Sequence, residues 1–328
     1  MAYSKKLFFL LTIIVVLSAV YVLSMVFDPE RTAAGSALLF WIDPTLVDRI
    51  DRIRIISDGE TRELIRKNNE WFVSYNGRDY PARQMRVEVF IGLLTRREPY
   101  PVRSSNTSSH ERLGLTESAA SRIIVSGGAG LPLLDLLVGQ GDNTGREVYV
   151  RRQGQNEVRS GEDVFTAYVV SPRASWYNLR LFPDSEEGGP DPDSVQRLTV
   201  YAGARTAEGN AAAPAAELRV FTRNGREWTF SGIDIAEADM GKVDTYVRGI
   251  LSAEGDDFND SDDPSDSMFN HSRITLELGD GSIRTLRLSP PDETGRRLAR
   301  VSGSQYVYSL AGWAVERLFR DASFFEKQ

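Results

Sequence analysis

The chain contains no cysteine. That excludes disulfides, Cys-ligated zinc, iron–sulfur clusters, thiol catalysis and a lipid-modified N-terminal Cys. It has only two histidines, His110 and His271, both in polar, Ser-rich surroundings that read as solvated loops. His110-Glu111 is not followed by a second His at helical spacing, so the zincin pattern is missing. Gly-Lys-Ser/Thr and Gly-x-Ser-x-Gly are missing too, which removes the P-loop and nucleophile-elbow signatures. Two Gly-rich stretches, Gly127–Gly130 and Gly139–Gly145, lead into strand-like sequence. A phosphate site needs a helix N-terminus there, so both read as tight turns.

An excess of base is also missing. The 328 residues carry 39 bases against 46 acids, a net charge of −7. A broadly basic nucleic-acid binder is excluded. A hydrophobic fraction of 41% excludes a disordered acidic chain. One stretch holds the whole imbalance: Glu254 to Asp266 contains seven acids (Glu254, Asp256, Asp257, Asp260, Asp262, Asp263, Asp266) and no base, leaving 39 acids and 39 bases elsewhere. An EF-hand frame fails there. Starting at Asp256 puts Phe258 third, and starting at Asp260 puts Pro264 fifth. The stretch reads as a solvated loop, or as a docking site for a basic partner. No cofactor or metal site is expected. Arg is scattered through strands, as in Asp48 to Arg54, and reads as an exposed strand face.

Long apolar runs are absent after the N-terminus. Leu7 to Phe27 has 21 uncharged residues, long enough as a helix to span about 30 Å of bilayer. Lys5 and Lys6 precede it and Asp28 and Glu30 follow. The expectation is a cytoplasmic N-terminus (residues 1–6), a single transmembrane anchor (7–27) and an extracytoplasmic, periplasmic bulk at the bacterial inner membrane. Ser36 to Ile42 is too short to span and reads as the entry into the first domain.

The rest divides into two similar halves. Residues 64–74 (LIRKNNEWFVS) match 221–231 (FTRNGREWTFS) at an offset of 157, each with turn residues in the middle. A helix is expected after each hairpin, over Pro81–Arg97 and Asp234–Leu251, the second with Asp234 and Glu237 in capping-box spacing. Their apolar stripes are Val87, Phe90, Ile91 and Leu94, and Met240, Val243, Val247 and Ile250. Strands at 122–125 and 273–276, hairpins at 151–160 and 300–309, and short closing helices at 162–168 and 311–319 complete the match. The predicted fold class is α+β: the N-terminal transmembrane helix, then two tandem copies of a mostly antiparallel sheet covered by one main helix. The repeats are placed at 28–183 and 195–328, with a linker at 184–194. Residues 202–216 are Ala/Gly-rich and read as a long hairpin loop.

Motifs in a fixed order run through the chain: Glu70-Trp71, Tyr80-Pro81-Ala82, Glu111 to Leu115, Val148 to Arg151, Ser175-Trp176-Tyr177 and Leu181-Phe182. With the N-terminal apolar run, this order resembles a duplicated domain-of-unknown-function family (DUF 4340) associated with gliding-motility-type (GldG-like) ABC transporter systems. Where that family has Ala-Asp after the helix-opening Pro, this chain has Ala82-Arg83. The resemblance implies an accessory role in an envelope ABC system, with permease and GldG-like subunits as partners. It carries over no catalytic residue. The expected function is therefore a single-pass, membrane-anchored interaction protein, not an enzyme. A non-catalytic module for an envelope glycan or lipid is the alternative, with Trp71, Trp176, Trp228 and Trp313 as stacking platforms. Core packing is the competing role for those four, above all for the matched Trp71 and Trp228. A carboxylate-dependent hydrolase is a third reading.

Overall fold

The computed structural model describes residues 17–18, 38–183, 190–203, 216–225, 227–232, 239–260 and 264–327. In chain order the strands begin with β1 (Leu38–Leu39), β2 (Ile50–Ser57), β3 (Glu60–Lys67), β4 (Glu70–Tyr75) and β5 (Arg78–Pro81). After helix α1 (Gln84–Thr95) come β6 (Glu98–Pro99), β7 (Val102–Ser104), α2 (Ser109–Arg112), β8 (Ser121–Gly127), β9 (Leu131–Gly141), β10 (Glu147–Arg152), β11 (Val158–Glu162) and α3 (Thr166–Val169). The remainder is β12 (Val195–Ala202), β13 (Glu217–Asn224), β14 (Glu227–Ser231), α4 (Met240–Leu251), β15 (Asp257–Phe258), β16 (Ser272–Leu278), β17 (Ile283–Leu288), β18 (Arg297–Val301), β19 (Val307–Leu310) and α5 (Gly312–Leu318).

The expected fold class needs correction. The described structure is mostly antiparallel strand, and its longest helices, α1 and α4, have 12 residues each. Such a helix is roughly 18 Å long, against roughly 30 Å of bilayer hydrocarbon. Among the described residues no helix is long and apolar enough to cross a membrane, so the single-pass membrane assignment is not supported. The run expected to form that span, 7–27, lies outside the described residues apart from 17 and 18.

The chain forms two compact units, and they differ from the cut expected at 184–194. The first holds the chain up to Arg66 together with Glu88–Ser171; the second holds Lys67–Val87 and everything from Pro172 onward. Within the first unit the antiparallel order is β3–β2–β8–β9–β10–β11–β7. The second unit has β14–β13–β12–β16–β17–β18–β19–β15 and the β4–β5 pair. From β13 to β15 the order repeats that of the first unit, strand for strand.

The repetition follows from side-chain alternation. In β2, Ile50, Ile53 and Ile55 are buried, and in β12 the buried residues are Val195, Leu198 and Val200. Ile53 stands opposite Leu64 and Val125; Leu198 stands opposite Phe221 and Leu276. A strand with one buried face has one usable register, because a slip of one residue would turn that face to water. Even the irregularity is copied. The pairing shifts register between Ile50 and Arg52 in one unit and between Val195 and Arg197 in the other. Each of these strands enters from an Asp-Pro turn, in which Asp43 accepts from the Thr45 backbone and Asp191 from the Asp193 backbone.

Two helix starts differ from expectation. Pro81 is not a first helical residue; it ends β5 opposite Phe72, a sheet-edge place where its missing N–H costs nothing. The helix begins at Gln84, whose amide turns back on Trp71. It accepts from the Trp71 N–H at 2.9 Å and donates to the Trp71 carbonyl at 3.0 Å. For α4 the cap is Asp239, which accepts from the backbones of Gly241 and Lys242; Asp234 and Glu237 lie outside the described residues.

A buried arginine recurs at matched places. Arg62 in β3 is 4% exposed. It donates to the Val169 carbonyl at the end of α3 and pairs with Glu60, both at 2.9 Å. In β13, 3% exposed Arg219 donates to the Arg320 carbonyl beyond α5 and pairs with Glu217. Each guanidinium thus holds the chain after a short closing helix. Replacing Arg62 with Ala should cost about 2–3 kcal/mol, the range for a hydrogen bond from a charged donor plus its lost packing. Glu60→Gln should cost far less, because Glu60 is partly in solvent. Denaturant midpoints of the two variants test the difference.

Candidate functional site

The acidic segment is the feature that sequence singles out, and in the second unit it is woven into the fold. Its backbone is paired on two sides. The Leu181 N–H donates to Ala253 O and the Gly255 N–H to Leu179 O. The Asp256 N–H donates to Ser309 O and the Asn259 N–H to Val307 O, so β15 extends the sheet beyond β19. At its centre Phe258 is buried. The ring stacks on Tyr80 at 4.8 Å and meets Tyr177 edge-on at 5.0 Å, with Tyr306 and Tyr308 at 5.3 and 5.0 Å.

The acids are distributed around this anchor. Glu254 pairs with Arg83 at 2.8 Å. Asp256 accepts from the Ala311 N–H at the start of α5. Asp257 accepts from the Phe258 N–H, and desolvation raises its carboxyl pKa above the usual range. Asp260 accepts from the Tyr80 hydroxyl at 2.7 Å. Asp266 bridges Arg300 at 2.6 Å and Arg287 at 3.1 Å. Those two arginines face each other across β17 and β18, where like charges repel. Their guanidinium groups, Arg300 first, hold the Asp266 carboxyl below the usual range. Asp262 and Asp263 lie outside the described residues.

The motifs that order the chain meet one another. The Arg83 N–H donates to Trp176 O, the Asn178 N–H donates to Pro81 O, and Ala82 bridges Tyr177. In the first unit Arg151 donates to the Leu115 carbonyl at 2.9 Å. These residue groups are therefore mutual supports for the backbone.

Beside the acidic segment, α4 and α5 enclose a cleft of about 510 Å³, within the range of small-ligand sites. Trp313, in the first turn of α5, is 59% exposed at this cleft, whereas Trp71, Trp176 and Trp228 are at most 5% exposed. Arg317 lies one turn further along α5 and is exposed. The Arg320 guanidinium covers the Phe324 ring at 5.1 Å. On the α4 side, Thr245, Gly249 and Ser252 line the cleft, and nothing lies within 4 Å of where a Gly249 Cβ would be. Glu254 contributes the one acid of the lining, already paired with Arg83. The Tyr246 hydroxyl donates to Leu318 O at 2.6 Å and fixes α5 against α4. A second cleft of about 370 Å³ includes Tyr80, Asn259 and Tyr306.

Other sequence candidates are absorbed locally. His110 Nε2 meets the Asn156 carbonyl oxygen at 3.0 Å, and His271 Nδ1 lies 2.9 Å from both the Ser272 hydroxyl and Arg297. Among the described residues no group of three His, Cys, Asp or Glu could hold a metal. Gly127–Gly130 forms a tight turn between β8 and β9. Sequence reasoning named Trp313 only as one of four platforms and did not name Arg317 or Arg320. The signal was the spacing: 313 and 317 share a helix face.

A family model described as "Domain of unknown function (DUF4340)" matches residues 71–271, 201 of the 328 residues. No curated protein and no solved structure matches the chain.

Burial, reinforced by the hydrogen bond to Asp260, pushes the Tyr80 hydroxyl up to about 12. The unfolded chain would ionise there near 10. Tyr80 therefore contributes stability that is complete below pH 10 and is lost as pH rises through 12. Tyrosinate absorbance of wild type minus Tyr80→Phe should place this titration near 12. In Asp260→Asn it should move down, but not fully to the ordinary value, because burial remains.

Proposed function

The chain belongs to the DUF4340 family, and from that premise we propose that it is a non-catalytic binding component of an ABC-type envelope transport system. Its own work, in this reading, is to hold an envelope ligand, a glycan or lipid, in the cleft between α4 and α5. The transport setting comes from the chain's resemblance to a family associated with GldG-like ABC transporter systems. The binding role rests on one observation: Trp313 is left 59% exposed at a cleft of ligand size. Exposing an indole in water costs free energy that burial against a ligand returns, about 25 cal/mol per Å² of apolar area.

A second reading has the cleft receive a transporter subunit. Trp and Arg together favour it, since these residues dominate protein–protein hot spots. Both readings put the contact at Trp313.

Four of the five tryptophans are buried, so a ligand in the cleft should shift emission through Trp313 alone. Titration of the full chain with envelope glycan fragments and lipid should produce a blue shift that Trp313→Ala abolishes without moving the thermal midpoint. A shift that survives this substitution overturns the cleft as the site. Co-purification with the transporter's ATPase and permease subunits tests the setting; recovery of the protein alone from cells expressing them overturns it.

A further inference from the structure

The cleft between α4 and α5 has a chemistry more specific than an aromatic platform, and resting on the ligand reading above we propose that it binds an acidic saccharide, a sugar ring carrying a carboxylate.

Three features converge on this class. Trp313 offers an open indole face, 59% exposed. The C–H face of a pyranose ring is flat and apolar and suits such a surface. Arg317 and Arg320 lie along the same wall, and among the described residues neither guanidinium has a carboxylate partner. Arg binds carboxylates through paired, parallel N–H donors. Across the cleft stand the hydroxyl groups of Thr245, in α4, and Ser252, just past its end, beside the bare backbone of Gly249. Each hydroxyl donates to a helix carbonyl, Thr245 to Gly241 O and Ser252 to Gly249 O, and its oxygen can still accept from a ring hydroxyl.

Charge supports the same choice. The chain as a whole is at −7, yet this cleft has two arginines and one acid, Glu254, whose charge Arg83 already neutralises at 2.8 Å. The lining itself thus favours an anion, although the chain as a whole is acidic. The volume of about 510 Å³ suits a few sugar rings better than an extended chain. A lipid acyl chain has less to gain, because the wall contributed by Thr245, Gly249 and Ser252 is not apolar.

The experiment titrates the full chain with a trigalacturonate, with its carboxyl-reduced neutral counterpart, with inorganic phosphate and with a short polyglutamate peptide, reading Trp emission and calorimetry. The acidic sugar should bind at least tenfold tighter than the neutral one and weaken with salt. Arg317→Gln with Arg320→Gln should erase that preference while keeping weak neutral-sugar binding, and Trp313→Ala should remove both. Equal binding of the two sugars overturns the acidic class and leaves the ligand reading standing. Phosphate or polyglutamate binding as tightly as the acidic sugar also overturns it, since an anion alone then suffices. Binding of neither sugar, while a lipid shifts Trp313 emission, overturns the sugar class and not the cleft.

Discussion

A buried guanidinium is the constraint on which each half of this structure turns. Taking an arginine out of water is costly unless its donors are met. The terminal nitrogens of Arg62 and Arg219 donate to the backbone carbonyls of Val169 and Arg320 and to the nearby acids Glu60 and Glu217. The sheet strand and the chain after the closing helix must therefore come together, or the charge is stranded. In the second unit this has a consequence for the surface. Arg219 grips the chain just past α5, and Tyr246 grips the Leu318 carbonyl. The helix that carries Trp313 and Arg317 is thus held by Tyr246, in the cleft's own lining, and by Arg219, outside it.

The acidic segment plays a related part. Phe258 inserts among Tyr80, Tyr177, Tyr306 and Tyr308, and the surrounding acids face arginines, a tyrosine hydroxyl and the first turn of α5. Negative charge here complements the local scaffold before any partner arrives. Asp256 receives the Ala311 N–H at the start of α5, which is where a helix favours an anion. The segment borders the cleft through Glu254 and Gly255, so it supports the α4–α5 surface.

Much of the local pattern was legible, although the expected fold class needed correction. Hairpins with Asn-Asn and Asn-Gly turns, period-two apolar strands and paired helical stripes pointed to a repeated sheet, and matched helices of equal length, α1 and α4, lie 156 residues apart. Trp71 and Trp228 are buried at matched places. The Glu-x-Arg of residues 60–62 and 217–219 was also in view, but arginine alternating with apolar residues reads as an exposed face. Nothing local tells that the carbonyl it needs comes from about 100 residues away. The acids misled in the same manner: a charge run usually means solvent, and the Tyr80–Asp260 contact spans 180 residues. Thr245 and Gly249 of α4 and the stretch at 313–317 of α5 each carried half of a cleft, and neither half is a site alone.

Sequence by itself determined what depends on neighbours: the alternation of strands, the turns, the copied order of elements, and the absence of thiol chemistry. Those are properties of short windows, where steric and hydrophobic preferences act directly. Tertiary structure decided which charges are buried, which tryptophan stays in water and which helices flank a cleft. Such outcomes depend on pairing across long separations, where one carbonyl or one carboxylate brought to the right place reverses the preference of a residue.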